Sequence, residues 1–145
     1  MDRGIFDNPI AAGPNNYLYT QESGFDDDGS ALTAYIESSQ LDIGDGEQFS
    51  FIRRMIPDLT FRGSTAGSPS ANITVKTRNF PGGNYLQSTS SAVTKSASVP
   101  VEQFTDQVNL RLRGRSFAVR IESTATGVGW RLGSPRLDIR PDGRR

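Results

Sequence analysis

The residues best equipped for chemistry in this 145-residue chain are its arginines, which make up fourteen of its sixteen basic residues. Arg111, Arg113, Arg120, Arg131, Arg136 and Arg140 alternate with apolar residues in the last third of the sequence. A guanidinium offers a planar fork of N–H donors that fits carboxylates and phosphates bidentately and stacks on rings, so such a row suits recognition more than catalysis. Two acidic sets come next, Asp26-Asp27-Asp28 and Asp42/Asp45/Glu47. Their oxygens could hold Ca²⁺, but neither has the spacing of the roughly twelve-residue EF-hand loop, and exposed acidic turns look the same in sequence. As a glycosidase pair they would need a separation that sequence does not show. Trp130 is the single tryptophan and reads either as core or as a stacking platform for a sugar.

There is no histidine and no cysteine. Without them there is no Ser-His-Asp triad, no thiolate nucleophile, no disulfide and no imidazole or thiolate metal site. No catalytic, cofactor or metal site is therefore assigned, and the expectation is a protein that is not an enzyme.

The elements that must carry these residues read as strands. Leu32, Ala34 and Ile36 alternate with Thr33, Tyr35 and Glu37, and the same period of two runs through 73–78, 108–113, 117–122 and 136–140. Gly44-Asp45-Gly46 and Phe80-Pro81-Gly82-Gly83 are turn signals. Pro57 marks an edge or a bulge. Residues 63–71 read as a loop, and Gly114-Arg115 as a bend or hairpin. Gln87 to Ser98 fits a polar strand and a loop equally well, and 101–105 a connection with one helical turn. No stretch of eight or more residues has the helical period of 3.6. The predicted fold class is all-β, an antiparallel β-sandwich of jelly-roll kind, with an irregular arm over 1–30 rich in turn formers and a sandwich domain over 31–145. No apolar run approaches the ~18 residues of a membrane span, and the N-terminus lacks the basic-then-apolar pattern of a secretory signal, so synthesis in the cytoplasm is expected.

Net charge is zero, but it is divided along the chain. Residues 1–72 hold 4 basic and 11 acidic groups, net −7, and residues 73–145 hold 12 and 5, net +7. The Arg rows then have three readings: a solvated face paired across strands, a surface that docks protein, or one that faces nucleic acid.

The C-terminal segments LRGRSFAVRIES (112–123) and GVGWRLGSPRLDIRPDGRR (127–145), with Phe80-Pro81-Gly82-Gly83 and Asp26-Asp27-Asp28-Gly29-Ser30, resemble the C-terminal region of tail hub or nozzle proteins of short-tailed bacteriophages. The resemblance spans roughly residues 17–145, and "WRLGSPRLDIRPDGRR" is its most specific part. Proteins of that kind are much longer, so the chain reads as a separate C-terminal domain or as a shorter relative. The resemblance implies a virion structural protein of the phage tail, made in the host cytoplasm. It would form a ring with copies of itself, beside other tail proteins, around a channel through which DNA passes. It carries no catalytic motif. A division into an acidic and a basic half suits head-to-tail contacts that close into rings. The residues expected to touch neighbours are Arg111, Arg113, Arg115, Arg120, Arg136, Arg144 and Arg145. The alternative is a carbohydrate- or receptor-binding sandwich of a virion using Trp130, Tyr35 and Tyr85.

Overall fold

The computed structural model describes residues 7–44, 46–80 and 95–144, and every regular element in them is a β-strand. Two ribbons come first: β1 (Ile10–Ala12) pairs antiparallel with β2 (Leu18–Thr20), and β3 (Asp26–Asp27) with β4 (Ser30–Ala31). There follow β5 (Ala34–Glu37), β6 (Leu41–Asp42), β7 (Ser50–Ile56), β8 (Leu59–Thr60), β9 (Ser70–Arg78), β10 (Lys95–Glu102), β11 (Val108–Gly114), β12 (Ser116–Ser123), β13 (Arg131–Leu132) and β14 (Arg136–Pro141).

Two antiparallel sheets face each other as a sandwich. One has the order β10-β9-β12-β5, with β6 also beside β12, and the other the order β11-β7-β14. Alternation explains why they meet. Ala71, Ile73, Val75 and Thr77 of β9 are buried, and so are Phe117, Val119 and Ile121 of β12. The register sets Ile73 opposite Ile121 and Val75 opposite Val119, so the apolar residues fall on one face. Val108, Leu110 and Leu112 of β11 and Ile52 and Met55 of β7 form the opposing wall of the same core. A small ribbon of β8 and β13 adds Leu59 and Leu132 at its margin.

β7 breaks the period of two. Ile52 and Met55 are both buried although three positions apart, and Arg53 and Arg54 between them are both exposed. The pairing with β14 skips Arg53, passing from Asp138↔Arg54 to Ile139↔Ile52. One extra residue on a strand is a bulge, and it turns two adjacent arginines outward. Pro57 lies just beyond β7, which is the central strand of its sheet, and ends it.

Two open readings close and a third is refined. Gly114-Arg115 is a bend and not a hairpin, because β11 pairs with β7 while β12 pairs with β9, so the chain crosses there from one sheet to the other. Of the undecided stretch Gln87 to Ser98, the part from Lys95 onward belongs to a strand that runs on through Pro100, and residues 87–94 lie outside the described residues. Proline is accommodated because β10 is an edge strand, where a missing N–H costs no ladder bond. Residues 7–30 of the arm are two ribbons tied to the body: Asp26 accepts a hydrogen bond from the Gly127 N–H, and the Phe25 ring lies where a side chain at Gly129 would sit. The turn at Phe80-Pro81-Gly82-Gly83 extends outside the described residues.

Among the described residues the sheets are unequal, five strands against three. Ile36 is 49% exposed although it stands opposite Ile121, which is 2% exposed. Leu41 of β6, opposite Phe117 on the same strand β12, is also exposed, so the apolar pattern of this edge is real but uncovered.

Candidate functional site

The outer face of the three-stranded sheet is the arginine surface. It is built by Arg111 and Arg113 from β11, Arg53 and Arg54 from the β7 bulge, and Arg136 and Arg140 from β14. Their outward direction follows from the inward placement of Leu110, Leu112, Ile52, Met55, Leu137 and Ile139. Two of the six have acidic partners: Arg54 pairs with Asp138 at 3.2 Å, and Arg113 pairs with Asp142. Arg53, Arg111, Arg136 and Arg140 have no acidic partner among the described residues. Ile56, 44% exposed, stands on this face, in a shallow groove with Arg54, Arg136 and Asp138.

The outer face of the larger sheet is balanced within itself. Glu37 accepts from Lys76 at 2.6 Å and from Arg120 at 3.1 Å, and Arg120 also reaches Glu122 at 2.9 Å. The Arg120 guanidinium lies 4.0 Å from the centre of the Tyr35 ring. Hydrogen bonds from Lys76 and then Arg120 hold the Glu37 carboxyl below its ordinary range, and the bond from Arg120 does the same for Glu122. The same two carboxylates raise Arg120.

The arginines expected at an interface thus fall into two sets. Arg111 and Arg136 stand on the open face together with Arg53, which the alternation argument missed because a bulge hides it. Arg113, Arg115 and Arg120 are engaged within the chain. Arg113 and Arg115 lie 4.0 and 4.8 Å from the centre of the Phe49 ring, and Arg115 donates to the Arg144 carbonyl at 3.3 Å. Arg144 is exposed near the end of the chain, and Arg145 lies outside the described residues. Arg131 is exposed on the small ribbon.

Two of the three residues of the carbohydrate reading can be placed, and they stand in different surroundings. Trp130 is half-buried against the core and donates its indole N–H to the Ser123 hydroxyl at 2.9 Å. Tyr35 is 61% exposed on the outer face of the larger sheet with Arg120 against its ring, and Tyr85 lies outside the described residues. Of the acidic sets, Asp45 is likewise outside them, and among the described residues no group of three or more acidic side chains is arranged to hold a metal ion.

A second feature was not foreseen. The β1–β2 ribbon and the β3–β4 ribbon enclose an open cleft of about 660 Å³ lined by Asn15, Tyr17, Tyr19, Phe25, Asp26 and Asp28, among others. Asp27 and Glu22 line an adjoining lobe. Tyr19 donates to Asp28 and accepts from the Asn15 amide at 2.6 Å. Asn16, Glu22 and Asp28 around it have φ of 65°, 58° and 48°. Non-glycine residues rarely hold such angles, and here they bend both ribbons around the cleft. Tyr17-Leu18-Tyr19 and the Asp26 cluster were each visible in sequence; their meeting depends on the pairing of β1 with β2. Neither family models nor curated proteins give a match to this chain.

Proposed function

We propose that this chain is a structural protein of a bacteriophage tail, of the hub or nozzle kind, that works by packing against copies of itself in a ring and against other tail proteins. The observation that carries the reading is the outer face of β11-β7-β14, which holds four arginines without acidic partners among the described residues and the exposed Ile56, with Arg136 of the four beside it. A solvated face needs no such concentration of guanidinium, whereas interface cores favour Arg over Lys. The uncovered Ile36 and Leu41 at the edge of the larger sheet point the same way. The resemblance of the C-terminal third to tail hub proteins supplies the context of a ring around a DNA channel, in the virion.

The test is mass by light scattering after size exclusion, at low salt and at about 1 M salt, where charges more than ~3 Å apart are screened. A discrete oligomer that salt weakens is the expected result. A monomer under both conditions, at concentrations up to those of crystallisation, refutes assembly through this chain's own charged surfaces.

A further inference from the structure

Arginine is held in one manner at two places in this chain. Arg120 lies over the Tyr35 ring while pairing with Glu37 and Glu122, and Arg113 lies over the Phe49 ring while pairing with Asp142. The two contacts do not compete, because a ring takes the flat side of the guanidinium and a carboxylate takes its N–H edge. The arm cleft carries the same two halves, and among the described residues no Arg or Lys lines either lobe: Tyr17, 68% exposed, and Phe25, 38% exposed, stand beside Asp28 and Asp26. The β11-β7-β14 face carries the complement, with Arg111, Arg136 and Arg140 meeting neither ring nor carboxylate among the described residues.

We infer that the arm cleft of one copy receives arginines from the β11-β7-β14 face of a second copy, and that this is the head-to-tail contact of the proposed ring. The inference rests on the assembly reading and adds which surfaces meet. Cleft and face are different surfaces, so a contact between them is heterologous, and each copy can engage one neighbour through its cleft and another through its face. The cleft is built to receive rather than to be shaped by its occupant, since Phe25 packs over Gly129 and Asp26 fixes the Gly127 N–H. A second copy fits better than a neutral saccharide, which could use the rings but would leave the charge of Glu22, Asp27 and Asp28 uncompensated.

Two variants separate the halves. The face variant carries Arg136→Glu and Arg140→Glu, and the cleft variant carries Tyr17→Ala and Asp27→Asn; all four side chains are exposed, so unchanged circular dichroism and melting are expected. Light scattering should show each variant alone associating about tenfold or more weakly than the wild type. An equimolar mixture should give a heterodimer and nothing larger, because one intact cleft and one intact face remain between them. The chain has no cysteine, so Tyr17→Cys in one copy and Arg140→Cys in another provide a direct check, and a disulfide-linked pair is expected on oxidation. Variants that assemble as the wild type does, or a mixture that stays monomeric, overturn this contact while leaving a ring built otherwise. Cleft variants that still assemble but lose binding on a glycan array assign the cleft to saccharide instead. A wild type that never associates refutes the ring itself.

Discussion

Gly114 marks the point where the chain leaves the arginine-bearing sheet for the other, and replacing it with alanine tests how tightly that crossing is closed. A Cβ at Gly114 would stand 2.7 Å from the Thr77 Cβ, 3.0 Å from the Arg78 carbonyl oxygen and 3.3 Å from the Arg78 nitrogen. Carbon atoms rest at ~3.5–4.0 Å, so about an ångström must be found. It is not available from Thr77, which is 2% exposed and belongs to β9, a strand paired on both sides. The Arg78 carbonyl is held as acceptor for the Arg115 N–H at 2.9 Å. Overpacking against fixed neighbours costs about 1–3 kcal/mol. Gly67 is the internal control, because nothing lies within 4 Å of a Cβ there and its φ is not in the left-handed region. Gly67→Ala should stabilise by about 0.4–1 kcal/mol through the unfolded chain. Urea titration of both variants, with mass checked in parallel, should therefore separate them by roughly 1.5–4 kcal/mol, the range bounded by those two effects. If Gly114→Ala is as stable as Gly67→Ala, the two sheets are not joined by the close crossing described.

Two further expectations concern the rest of the molecule. Glu37→Gln removes the acid shared by Lys76 and Arg120 and should lower the melting temperature at neutral pH. The Glu37 carboxyl is held below its ordinary 4.5, so its stabilisation is present above that value and lost as pH falls through the lower folded value. Melts at about pH 3 should accordingly bring wild type and variant closer together than at neutral pH, and an equal gap at both would exclude the network as its source. Ser123→Ala leaves the Trp130 N–H without its acceptor, which should cost about 1 kcal/mol in urea titrations followed by the emission of this single tryptophan.

What could be read from the sequence follows from what a sheet does to a pattern. Strands with one face on the core, such as 73–78, 108–113 and 117–122, must alternate, and they were visible for that reason. β7 was blurred because its bulge sets Arg53 and Arg54 side by side. β10 was hidden because an edge strand tolerates Pro100 and polar residues that a central strand would not. The arm ribbons bury so little that no apolar pattern announces them. For the arginines, alternation gave the direction of each side chain but not its partner. Arg111 and Arg113 occupy equivalent outward positions of one strand, yet only Arg113 meets an acid, because Asp142 comes from a distant part of the chain.

The division of charge between the halves of the sequence also changes meaning once the chain is folded. Part of it cancels internally: Glu37 of the first half meets Lys76 and Arg120 of the second, and Arg54 of the first meets Asp138 of the second. Those pairs tie strands together within each sheet and are unavailable to a neighbour. Of the charge left over among the described residues, two groups stand together, Glu22, Asp27 and Asp28 around the arm cleft and Arg53, Arg111, Arg136 and Arg140 on the smaller sheet. Salt should therefore act on assembly far more than on folding. The internal pairs are partly shielded and in direct contact, whereas the surplus charges are exposed and must attract across solvent before they touch. Melting temperature nearly independent of salt, with oligomer mass strongly dependent on it, is the combination this arrangement requires.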